Sequence, residues 1–158
     1  MNQMNQGGGC PSSAVKQFTK EEGTQDAATA ERIGKSSLAQ WPVQLALLPP
    51  TAPYFQNADL VIAADCVPFA YADFHPDFLE GKALAIGCPK LDDIMFYQEK
   101  IGQIIEASNL KSIQVMYMEV PCCFGIVTAV QEAIAASGKD VPLEIVKIGV
   151  RGDLQERT

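Results

Sequence analysis

No run in this sequence approaches the roughly 20 consecutive apolar residues that a membrane-spanning helix requires. Basic residues are scarce, with 12 Lys and Arg against 19 Asp and Glu, a formal net charge of −7. Such a surface repels phosphate backbones, which argues against nucleic-acid binding. The N-terminus is polar and Gly-rich, without the charged-then-apolar pattern of a secretory leader, so the expected location is the cytoplasm. No Walker loop, no G-x-G-x-x-G dinucleotide fingerprint and no serine-hydrolase elbow occurs. The run Gly7-Gly8-Gly9 precedes no strand–helix unit and makes a poor phosphate cradle. Histidine occurs once, at His75, so any imidazole chemistry rests on that residue.

Cysteine, by contrast, is plentiful. Five in 158 residues is more than a cytosolic domain of this size usually carries, and an odd number cannot pair completely into disulfides. Clustered cysteines in a reducing compartment more often bind metal or do redox work. The alternative is that they are small buried hydrophobes. The rest of the composition, 47 % hydrophobic and 20 % charged, is that of an ordinary globular protein. The length suits one domain with a core that needs no staples.

Residues 1–37 lack apolar periodicity and read as a polar N-terminal arm carrying Cys10. Residues 38–158 read as a single α/β domain. Five short apolar runs predict strands: Trp41 to Leu48, Ala58 to Ala64, Ala83 to Ile86, Ser112 to Met118, and Leu143 to Ile148. Asp92 to Ser108 carries apolar residues at helical spacing, with Asp92 or Asp93 as a cap. Phe124 to Ser137 is a second helix, closed by Gly138. Phe69 to Leu79 is interrupted by Pro76 and supports only a turn or two. Continuously apolar strands alternating with helices predict a three-layer domain around a mostly parallel five-stranded sheet, flavodoxin-like or Rossmann-like.

In such a sheet four cysteines share one edge. Cys66 follows the second predicted strand, Cys88 the third, and Cys122 and Cys123 the fourth. This is the carboxyl edge, where open α/β sheets bind ligands. Neighbouring strands lie about 4.8 Å apart, so three loops can bring four sulfurs to one small ligand. The long separations rule out a local finger or ferredoxin motif; convergence must be tertiary. Prolines beside the cysteines, at Pro11, Pro68, Pro89 and Pro121, either stiffen a cluster site or simply make turns. Helix starts after the cysteines would lower thiol pKa values. Thiolate-only sites select iron–sulfur clusters, zinc or copper(I). Adjacent Cys122 and Cys123 fit two irons of a cluster better than one tetrahedral zinc; a vicinal disulfide is the plainer alternative. Cys10 is either a fifth ligand, which would permit an unusual or larger cluster, or a free thiol.

Other residues on this edge carry paired readings. His75 is a ligand, a proton donor or a structural histidine. Asp65 orients His75 or caps the following helix, and Glu119 is a second strand-end acid. Lys90 offsets thiolate charge or is merely solvated, and Met118 belongs to the core.

The stretches WPVQLALLPPTAPYF, ADLVIAADCVPFAYADFH, GKALAIGCPKLDD and MEVPCCFG, with GGGCPSS upstream, resemble the C-terminal domain of a family of ferredoxin-type iron–sulfur proteins of anaerobic bacteria and archaea. The resemblance covers residues 38–153, and the GGGC arm more loosely. Members of that family begin with a dicluster ferredoxin module, known as 4Fe–4S binding, and have no settled reaction. That module is missing from this sequence. The resemblance therefore implies work beside a low-potential electron carrier, while a cluster here rests on the strand-end cysteines.

The leading expectation is an iron–sulfur (4Fe–4S) redox protein. Its ligands would be Cys66, Cys88, Cys122 and Cys123, with Cys10 as a fifth, His75 as the candidate catalytic residue, and a ferredoxin or other redox protein as partner. The rivals are a thiol- or zinc-dependent enzyme without a cluster, and a non-catalytic docking domain.

Overall fold

Leu60 to Ala64 is apolar without alternation, as a strand covered on both faces must be, and all five residues are buried. They belong to a computed structural model that describes residues 11–18 and 34–158. A short antiparallel pair, β1 (Lys16–Gln17) and β2 (Gln40–Trp41), comes first. The main sheet follows: β3 (Asp59–Ala64), β4 (Ala83–Gly87), β5 (Ser112–Met118), β6 (Leu143–Ile148) and β7 (Leu154–Arg157), in the order β4-β3-β5-β6-β7. The first four are parallel, and β7 pairs antiparallel with β6. Numbered within this sheet the order is 2-1-3-4-5, the flavodoxin-like winding, with its reversal at β3/β5.

Three helices connect the strands: α1 (Val67–Ala70), α2 (Ile94–Ala107) and α3 (Gly125–Ser137). The chain moves one way from β3 to β4 and the other way from β4 to β5 and β6. Right-handed crossovers therefore put α1 and the π-helical turn His75–Leu79 on one face, and α2 and α3 together on the other. Asp93 caps α2, accepting from the Met95 N–H at 2.9 Å. The Lys139 ammonium closes the other end on the carbonyls of Ile105, Glu106 and Ser108 at 2.7 to 3.1 Å. Gly138 ends α3 at φ 67°, a left-handed conformation suited to glycine.

The sheet thus has the expected architecture, with one strand exchanged. Trp41 to Leu48 is not a sheet strand. Only Gln40–Trp41 is extended, Leu45–Leu47 forms a 3-10 turn, and a single bridge joins Gln44 to Ile86. Its apolar character comes from Leu45 and Leu48, buried in the core. The fifth strand is instead β7, whose exposed Leu154–Arg157 has no apolar alternation to announce it. Part of the predicted arm is attached to the domain: the Phe18 N–H donates to the Ala39 carbonyl at 2.8 Å. Cys10 lies outside the described residues. Among those residues, no helix is long and apolar enough to cross a membrane.

Candidate thiol site at the carboxyl edge

Strands β4, β3 and β5 lie side by side, with Ala64 opposite Gly87 and Ala63 opposite Met116. Their ends therefore release three loops at one level. Cys66 stands two residues beyond β3 and opens α1; it is exposed. Cys88 comes directly after β4 and is half-buried. Cys122 and Cys123 sit in a 3-10 turn, Pro121–Cys123, between β5 and α3. The first of them is exposed and the second buried. All four are free thiols, so the vicinal pair is not a disulfide. The loops after β3 and β5 flank the point where the winding reverses, the usual ligand position in this fold.

Each loop is pinned by its neighbours. The Asp65 N–H donates to the Gly87 carbonyl at 3.0 Å, tying the end of β3 to the end of β4. The Cys88 N–H donates to the hydroxyl of Tyr97 at 3.0 Å, and that hydroxyl donates to the Asp92 carboxylate. Tyr97 is fully buried, and its ring fills the space where a side chain on Gly87 would lie. Gly125 opens α3 so close to the Cys88 loop that an added Cβ would stand 3.3 Å from the Pro89 Cβ. The start of α3, two residues after Cys123, thereby lies close to the turn that follows Cys88.

Burial pushes the Cys123 thiol up, and the Met118 N–H, donated to its sulfur at 3.2 Å, pulls the other way. The charges of Cys122, Cys66 and Cys88 raise it further. The expected lowering at a helix start does not hold for Cys123, where desolvation outweighs it. Asp65 is also raised, by burial first and by Asp92, with the Gln44 amide opposing at 3.4 Å. Among the described residues, no three His, Cys, Asp or Glu side chains are grouped tightly enough to hold a single metal ion.

The remaining candidates each have a defined place in the fold. The Nδ1 of His75 accepts the Ser37 N–H at 3.0 Å, fixing the chain that enters the domain. Asp65 receives the Gln44 amide, and α1 has no side-chain cap at Cys66. Glu119 accepts the Val150 N–H at 2.9 Å and the Gln155 amide at 2.7 Å. It thereby braces the β6–β7 turn, and these bonds hold its carboxyl below the ordinary range. Lys90 is exposed and Met118 buried. Sequence reasoning missed Tyr97, Asp92 and Gln44 as supports of the edge, although the glycine of Ile86-Gly87-Cys88 hints at a close neighbour. It also missed the exposed apolar rim. Phe69 and Leu91 are 92 % and 81 % exposed, and Val120, Phe124 and Val150 are exposed as well.

Residues 52–158 match a family model described as a Rossmann-like domain. A relative from Archaeoglobus fulgidus, described as an uncharacterized protein, is 37 % identical over 116 residues, which cover 73 % of this chain and 81 % of the relative. No solved structure matches.

Proposed function

The chain belongs to the Rossmann-like domain family, and on that premise we propose that it is a redox protein holding an iron–sulfur cluster, of 4Fe–4S type, through Cys66, Cys88, Cys122 and Cys123. The observation that carries this reading is the placement of four free thiols on the loops that follow β3, β4 and β5, at the carboxyl edge beside the reversal of the sheet. An all-thiol donor set is the chemistry such a cluster takes. The cluster would supply reversible one-electron transfer.

The chain's own residues would hold and tune it. The Met118 N–H to the Cys123 sulfur favours negative charge there, the contribution that hydrogen bonds to sulfur make to a cluster's potential. Tyr97 fixes the Cys88 loop, and burial of Cys123 keeps water from one side. The rim of Phe69, Leu91 and Phe124 is the surface a ferredoxin or other redox partner would meet. The likeness of the strand-end motifs to ferredoxin-type proteins supports that partner.

Protein purified without oxygen is expected to be brown, with near-equal iron and sulfide, and to bleach with dithionite. Serine at Cys88 or Cys122 should lower the iron content. Protein carrying neither iron nor sulfide would sink the reading. A second reading, thiol chemistry without a cluster, is favoured by the exposure of the free thiols Cys66 and Cys122. Colourless protein in which one of these two is alkylated far faster than the rest would select it.

A further inference from the structure

Four loops leave the carboxyl edge, after β3, β4, β5 and β6, and close approaches join them. A Cβ added to Gly152 in the β6–β7 turn would stand 2.3 Å from the Ala70 carbonyl oxygen, so that turn rests on the last residue of α1. The Val150 N–H of the same turn donates to the Glu119 carboxylate at 2.9 Å, which ties it to the loop after β5. That loop ends at Gly125, where an added Cβ would stand 3.3 Å from the Cβ of Pro89 in the loop after β4. Exposed apolar side chains stand on all four: Phe69 in α1, Leu91, Val120 with Phe124, and Val150. Among the described residues Phe69 and Leu91 are the most exposed large apolar side chains. An apolar surface of this kind marks a place of contact with another molecule. Charge decides which one. The four loops carry Asp65, Asp92, Asp93, Glu119 and Asp153 against Lys90 and Arg151, on a chain of net charge −7. A second copy laid edge to edge meets like charge there, and so does an anionic lipid headgroup. A cationic protein face meets opposite charge.

We propose that the carboxyl edge is the docking surface for a protein that presents lysine or arginine side chains around an apolar centre. The exposed apolar side chains of the four loops supply the dry middle of the contact, and the acids around them attract and orient the incoming face. The inference rests on the proposed function only for what that protein carries, and narrows the redox partner to one with a basic docking face. The surface itself needs no iron.

The probe is cytochrome c, a basic electron-transfer protein whose exposed haem edge is ringed by lysines, titrated by calorimetry into the full chain purified without oxygen. The same cytochrome with succinylated lysines keeps the apolar edge and reverses the charge around it. The unmodified cytochrome should bind one to one at low salt and about tenfold more weakly at about 0.2 M salt. The succinylated form should not bind. Phe69→Ser combined with Leu91→Ser should weaken binding about tenfold. Asp153→Asn should weaken it about threefold. Asp140→Asn makes the same change of charge at an exposed position between α3 and β6, at the opposite edge of the sheet, and should leave binding unchanged. No binding by the unmodified cytochrome, equal binding by the succinylated form, or equal effects of Asp153→Asn and Asp140→Asn overturns the proposal. So does a dimer in sedimentation that Phe69→Ser dissolves, or cosedimentation of the chain with phosphatidylserine vesicles, because a second copy or a bilayer then takes the surface. Iron and sulfide measured on the same sample judge the cluster separately. A chain without iron that binds the cytochrome leaves the surface standing, and an iron-loaded chain that ignores it leaves the cluster standing.

Discussion

Tyr97 shows how one buried side chain can govern a thiol it does not touch. Its hydroxyl accepts the Cys88 N–H and donates to Asp92, while its ring requires glycine at position 87. Tyr97→Phe removes both bonds without changing the packing. It should cost about 1 to 2 kcal/mol, the usual penalty for a buried donor left unmade, and the freed Cys88 loop should be alkylated faster. A denaturant melt and peptide-resolved iodoacetamide labelling read the two effects. Cys123 is governed by burial instead. Its folded thiol is raised above the unfolded value, so the folded state binds more protons in the interval between them. Its contribution to stability is therefore fully present below the ordinary thiol range and is lost as pH rises towards the folded value. Cys123→Ala should give a shallower alkaline decline in melting temperature than the wild type; an identical decline would place the raised group elsewhere. At this scale the positions of Cys66, Cys88, Cys122 and Cys123 were legible because their loops each follow an apolar run. Tyr97 was not, because within its helix it reads as one more residue of the apolar stripe, and only the tertiary fold brings it beneath Cys88.

The secondary elements were readable where burial leaves a local signature. Strands β3 to β6 are short apolar runs bounded by polar residues or glycine. Helices α2 and α3 follow from apolar spacing, the Asp93 cap and the terminal Gly138. The failures have one cause: apolar character reports burial, not conformation. Leu45 and Leu48 are buried from a turn, whereas β7 is an edge strand whose residues are all exposed. The closure of α2 by Lys139 was invisible for a related reason, since the lysine belongs to the next connection and meets the helix only after α3 has packed beside it. Three bonds to the last carbonyls make Lys139 the C-terminal cap of α2. Lys139→Met keeps the aliphatic stem and removes the ammonium. It should lower stability by about 1 kcal/mol, and hydrogen exchange should rise selectively in the last turn of α2. Uniformly faster exchange along the chain would mean that the lysine acts on global stability and not as a cap.

For the whole molecule the question is whether the thiol edge holds the fold or the fold holds the edge. Of the four strand-end cysteines only Cys123 lies in the core; Cys66 and Cys122 are exposed and Cys88 is half-buried. The core needs none of the other three, running from Leu45 and Phe55 through β3 and β5 to Ile101, Ile104 and Val130. A chain of this length buries enough apolar surface to be stable by itself. Small zinc domains, in contrast, fold only when the metal supplies the binding energy. The sheet and its two long helices should therefore form first, and the site should be a preformed edge that accepts its ligand afterwards. The triple replacement Cys66→Ser, Cys88→Ser and Cys122→Ser should retain the wild-type far-UV spectrum and a single cooperative unfolding transition. Its melting temperature should match that of metal-free wild-type protein. A bound cluster should raise the melting temperature of the wild type alone, because a ligand that binds only the native state stabilises by mass action. If removing iron from the wild type instead abolishes the cooperative transition, the edge is part of the folding nucleus, and the core just described is insufficient without it.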